Sequence, residues 1–151
     1  MRKRGQAHAC RTAGVAGHGR RSWTRRDFVA RTRRHLRITQ RELAGILGIS
    51  CKAVQSYEQG WRPVPTATLS LLLVLIEDRR CRDGAPHQPC WEVNRCAADQ
   101  RPGCLVYRMG TGRLCWTQAN GRCRVLSGSD ADGVFRVAEC PVASRLCETL
   151  D

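Results

Sequence analysis

The chain has 151 residues, a net charge of +13 and a mean hydropathy of −0.42, which leaves room for one ordinary domain or two small ones that each need help to stay folded. Its longest apolar run, residues 69–76, is far too short to span a bilayer. Arg2, Lys3 and Arg4 lead into polar sequence and not into the apolar stretch of a signal peptide, so the expectation is a soluble, cytoplasmic protein with no membrane partner.

The charge is unevenly spread. Residues 1–80 carry 17 Lys/Arg against 5 Asp/Glu, whereas residues 81–151 carry 9 against 8. A positive field confined to one half is the pattern of a polyanion-binding unit joined to a neutral one. The ten cysteines lean the other way, with eight of them at Cys81 or later.

In chain order, residues 1–22 are rich in Arg, Gly and His without hydrophobic periodicity, and are expected to form a disordered basic arm. Residues 23–80 show helical spacing. Phe28, Val29 and Leu36 mark a first helix. Thr39-Gln40-Arg41-Glu42 has the form of a capping box, and Leu43, Ala44, Ile46 and Leu47 follow at helical spacing before Gly48 stops the helix. Ser50 can cap a third helix, Cys51 to about Glu58, with Val54 and Tyr57 facing inward and Gly60 as its end. Trp61-Arg62-Pro63-Val64-Pro65 reads as a rigid turn, and Leu69, Leu72, Leu73 and Ile76 predict a closing helix from about Thr66. Residues 81–89 read as a linker and residues 90–151 as a Cys-Trp-rich module.

"RITQRELAGILGISCKAVQSYEQGWRPVP" resembles the XRE, or phage-repressor/Cro-like, helix-turn-helix family. The matching positions are Arg33, Thr39-Gln40, Leu43-Ala44, Gly48-Ile49-Ser50, Val54 and the Tyr57-Glu58-x-Gly60 ending. The resemblance implies an all-α lambda-repressor-like domain whose helix from Ser50 enters the major groove of double-stranded DNA, usually as a homodimer on paired half-sites. Cys51, Lys52, Gln55 and Ser56 would then face base edges: Gln55 can pair bidentately with adenine, and Lys52 can reach guanine or a phosphate. Gln40 and Ser50, at helix N-termini, and Arg33, Arg34, Arg41 and Arg62 are candidate phosphate contacts. Cys51 departs from the longer polar side chains common at its position, which weakens a base-reading role for it.

Cys90-Trp91 and Cys115-Trp116 form an imperfect internal repeat, each followed by a further cysteine, with Cys104 between them. The stretch resembles the two-CW domain found behind such helix-turn-helix units, a family that brings no established activity. It departs from that family's closing Cys-x-x-Cys at Val137, which stands three residues before Cys140; Cys147 could replace the missing cysteine only if the tail folds back. The module is expected to be a small, irregular α+β unit.

Three readings of its cysteines stay open. A disulfide scaffold is disfavoured in a reducing cytosol. A metal site of zinc or an iron–sulfur cluster, drawn from Cys90, Cys96, Cys104, Cys115, Cys123 and Cys140, would stabilise a short module, although C-x5-C, C-x7-C and C-x10-C spacings lack the tight pair of a zinc knuckle. Reduced, redox-responsive thiols beside Arg95, Arg113, Arg122 and Arg124 are the third. Trp91 and Trp116 are expected to shelter whichever site forms.

An enzyme is not expected. His8, His18, His35 and His87 are scattered, and Gly110-x-Gly112 lacks the strand-before, helix-after setting of a phosphate loop. The expectation is a DNA-binding transcriptional regulator whose Cys-rich module binds metal or responds to redox state. The alternatives are a purely structural or partner-binding module, and a thiol redox enzyme or metal carrier tethered to DNA.

Overall fold

A computed structural model of the chain describes residues 23–86, 88–115, 134–135 and 141–150, and among these helix dominates. The expected basic arm, and Trp116, Cys123, Val137 and Cys140 of the Cys-Trp module, lie outside the described residues.

Local sequence starts and stops the first three helices. Strand β1 (Trp23–Thr24) leads into helix α1 (Arg25–Leu36), where Thr24 and Asp27 cap each other reciprocally. Helix α2 (Gln40–Leu47) begins with the expected Thr39–Glu42 box. It ends at Gly48, whose φ of 66° turns its N–H back to the Ala44 and Gly45 carbonyls; a side chain at that left-handed angle would be strained. Helix α3 (Cys51–Gln59) follows at once, with the Ser50 hydroxyl accepting from the Ala53 amide at 3.1 Å. Residues 61–65 then carry the chain to α4 (Thr66–Arg82), whose last turn reaches two residues into the segment read as a linker.

The core of these helices follows most of the stripe expected from spacing, but Ile46 of α2 is 48% exposed. Phe28, Val29, Leu43, Val54, Leu69, Leu72, Leu73 and Ile76 are fully buried, each worth about 1.5–3 kcal/mol of transfer free energy. Tyr57 packs half-buried against them. Leu36 differs from expectation: it is only half-buried, and Thr32 takes the inward place on α1. Phe28, Val29 and Thr32 share one helical face, whereas Leu36 sits where the chain swings away through Arg37 at φ 56°. The buried Arg25 side chain donates to the Val64 carbonyl at 3.0 Å, so the start of α1 fixes the turn before α4.

The described C-terminal residues form short helices and turns: α5 (Cys90–Val93), a 3-10 turn (Arg101–Gly103) and α6 (Leu105–Arg108). Trp91 meets Tyr107 edge-on with ring centroids 4.9 Å apart. Strand β2 (Val134–Phe135) pairs antiparallel with β1, Trp23 opposite Phe135. Helix α7 (Pro141–Glu148) packs against both α4 and α5. Val142, Ala143, Leu146, Cys147 and Leu150 thereby join the same buried cluster as Leu69 and Leu73. The C-terminal tail therefore folds back onto the helical core, and no described helix is long and apolar enough to cross a membrane.

A core shared in this way has a measurable consequence. Leu146 is almost fully buried, so Leu146→Ala is expected to cost about 2–5 kcal/mol. In urea denaturation followed by the helical signal, the whole transition should move to lower denaturant. A shift of only a minor component, with the main transition unmoved, would show that α7 is not part of that core.

Candidate nucleic-acid interface

Glu58, near the end of α3, receives side chains from two other helices. Arg33 of α1 places its guanidinium edge on the carboxylate, Nε to Oε1 at 2.6 Å and Nη2 to Oε2 at 3.3 Å. Gln40, the first residue of α2, donates its amide to Oε2 at 2.7 Å. Arg33 also donates from Nη1 to the Ile38 carbonyl at 3.2 Å, fastening the α1–α2 turn. The side chains of Arg33 and Glu58 retain 22% and 10% exposure, so this forked pair is screened far less than a surface one.

This clamp redistributes the residues expected to meet a polyanion. Arg33 is taken up internally and does not stand as a surface cation, and Gln40 has its amide group committed to Glu58. Ser50 and Ser56 also have local partners. Ser50 caps α3, and the Ser56 hydroxyl donates to the Lys52 carbonyl at 2.8 Å. Cys51 is half-buried and packs against the core. Lys52 and Gln55, three residues apart on α3, are exposed together on one helical face. Arg41 on the first turn of α2 and Arg62 after α3 are exposed as well. Trp61, 76% exposed beside Arg62, is a large apolar side chain that sequence reading treated only as part of a turn.

Glu42 is exposed at the start of α2. Its carboxylate accepts from the Thr39 amide at 2.7 Å and the Thr39 hydroxyl at 2.8 Å, and these bonds hold its pKa below the usual carboxylate value.

The six candidate metal ligands divide three ways. Cys123 and Cys140 lie outside the described residues. Cys90 and Cys115 come together, with the Cys115 thiol hydrogen-bonded to the Cys90 sulfur; that bond holds the Cys90 thiol below its ordinary range while burial opposes it. Cys96 and Cys104 do not complete a site with them: among the described residues no three His, Cys, Asp or Glu side chains converge as metal ligands would. Cys147 returns on α7 and is buried there. Cys81, on α4, differs from Cys90. Burial and then the nearby Glu77 raise its thiol pKa, against the lowering influence of Arg113.

Sequence reading missed the role of Glu58 and the Cys90–Cys115 contact. The first had a weak signal, one of five acidic residues in the arginine-rich first half. The second had a better one, because Cys90 and Cys115 occupy the same place in the two Cys-Trp units. No family model matches this chain, nor does any curated protein or solved structure.

Two outcomes follow from this geometry. Glu58→Ala strands the Arg33 charge, and the loss of stability should fall a little under the about 3–5 kcal/mol of a fully buried pair, because Arg33 keeps some solvent. Urea denaturation measures it; a loss within error of zero would mean that the clamp holds nothing. Glu42, with its folded pKa lowered, stabilises the fold above its unfolded pKa, and that contribution disappears as pH falls through the folded value. Glu42→Gln should flatten this acid-side slope in stability measured against pH.

Proposed function

We propose that residues 23–80 form a lambda-repressor-like helix-turn-helix domain of the XRE type, and that the chain is a sequence-specific, DNA-binding transcriptional regulator acting as a homodimer. One observation carries this reading: two short capped helices joined by a glycine turn, with Lys52, Gln55, Arg41 and Arg62 exposed around them. In this reading α3 lies in the major groove. Gln55 pairs with adenine, Lys52 takes guanine O6/N7 or a phosphate, and Arg41 and Arg62 neutralise the flanking backbone. The first-half excess of positive charge supplies the salt-dependent attraction.

The C-terminal residues are assigned to a Cys-Trp module of two-CW type that holds metal or responds to redox state. A metal version draws on Cys90, Cys96, Cys104, Cys115, Cys123 and Cys140, with thiolate donors suited to zinc or iron–sulfur chemistry. A second reading, that the module is a structural platform, is favoured by α7, which buries Leu146 and Val142 in the core that α4 closes.

The test is selection of bound sites from a randomised duplex pool with the full chain, followed by fluorescence anisotropy at several salt concentrations. On the selected duplex, Gln55→Ala should lose about 1–3 kcal/mol and relax one base preference, whereas Arg41→Ala should weaken all duplexes alike and reduce the salt slope by about 1. Binding no stronger or more selective than that of an equally charged polypeptide would end the regulator reading. Metal analysis and an absorption spectrum after anaerobic purification address the module. Absence of zinc and iron, with every cysteine titrating as a thiol, would remove the metal version.

A further inference from the structure

The two Cys-Trp units bring their equivalent cysteines into contact. Cys90 opens α5, and its amide donates to the Gly112 carbonyl at 2.9 Å, which draws residues 112–115 against the start of that helix. The approach is close: a Cβ on the buried Gly112 would stand 2.4 Å from the Trp91 ring and 2.7 Å from Pro89. The Leu114 amide returns to the Thr111 carbonyl at 2.9 Å, and this turn leads straight into Cys115; a hydrogen bond from Cys115 holds the Cys90 thiol below its ordinary range. Cys90 is 9% exposed, and Cys115 packs half-buried against the same core. Among the described residues no third metal-ligating side chain joins them.

We propose that Cys90 and Cys115 form a reversible dithiol–disulfide pair, oxidised by small hydroperoxides. The Cys90–Gly112 bond and the Thr111–Leu114 turn put the two cysteines on adjoining segments of one buried cluster, and a disulfide needs their sulfurs about 2.0 Å apart. The Cys90 sulfur attacks one peroxide oxygen; an S–O bond forms as the O–O bond breaks, and the departing oxygen takes up the proton given up by Cys90. This leaves a sulfenic acid on Cys90. The Cys115 sulfur then attacks the Cys90 sulfur, the S–S bond forms, the S–O bond breaks, and the hydroxyl leaves as water with the Cys115 proton. Two thiols lose two electrons and two protons, and hydrogen peroxide becomes two waters. A cellular dithiol reductant reverses the link by thiol–disulfide exchange, supplying two electrons and two protons.

This pair rests on the redox half of the function proposed above, but its readout is a covalent bond and not DNA affinity. Failure of one therefore does not imply failure of the other.

The experiment uses the full chain, reduced and then exposed to excess hydrogen peroxide. Remaining thiols are alkylated, and the digest is mapped by mass spectrometry. The expected result is one dominant linked species joining the Cys90 and Cys115 peptides, lighter by two hydrogens and separated again by dithiothreitol. Cys90→Ser and Cys115→Ser should each abolish it, and Cys104→Ser should leave it in place. A dominant link from Cys90 to another cysteine would overturn the proposal, as would sulfinic acid at Cys90 with Cys115 still alkylatable, or no oxidation at either residue. The wild-type linkage map decides the question even if a serine variant fails to fold.

Discussion

The Glu58 carboxylate ties together three helices that would otherwise share only a small apolar core. Arg33 reaches it from α1 and Gln40 from α2, while α3 supplies the carboxylate itself. A buried charge is costly to desolvate, and its pairing offsets that cost only when the geometry is good and the remaining lone pairs are used. Here both conditions hold, because the guanidinium presents a fork and the Gln40 amide takes a remaining acceptor site. The clamp thus fixes the angle between α2 and α3 through directional bonds, which the nondirectional packing of Leu43 and Val54 cannot do.

That arrangement also determines which cations are left for a partner. Arg33 is spent on internal geometry, so the proposed DNA face depends on Lys52, Gln55, Arg41 and Arg62, all of them exposed. The division suits recognition. Residues that hold a surface in shape are half-buried and mutually satisfied, and those that read a ligand keep their hydrogen-bonding capacity until it arrives.

Much of the helical half was legible because its determinants are local. Thr39 and Glu42 are three residues apart, Gly48 and Gly60 stand at helix ends, and the Leu69–Leu72–Leu73–Ile76 stripe repeats at helical spacing. The Arg33–Glu58 pair spans 25 residues and left no periodic trace, which is why Arg33 read as one more surface cation. The same holds for the pairing of Trp23 with Phe135, and for the return of α7 to α4: both are contacts between distant segments whose own patterns are short. In the Cys-rich region the spacings are too irregular to rank metal against thiol chemistry, and only the repeat hinted that Cys90 and Cys115 are equivalent.

The position of α7 bears on how a change at the cysteines could reach the proposed DNA face. α5 is a single turn whose Cys90 amide is pinned to Gly112, and α7 lies against both α5 and α4. A new covalent bond at Cys90 must be accommodated by α5, and α5 has α7 as a packed neighbour. From α7 the path continues through Leu146 and the α4 stripe to α1, the helix that carries Arg33. Allosteric coupling between two sites is typically about 1–3 kcal/mol. Inverting a two-state equilibrium from 1:99 to 99:1 takes about 5.5 kcal/mol. On these magnitudes a Cys90–Cys115 link would tune DNA affinity by one or two orders of magnitude at most. A complete on–off response would need a second contribution, such as a change in the proposed dimerisation.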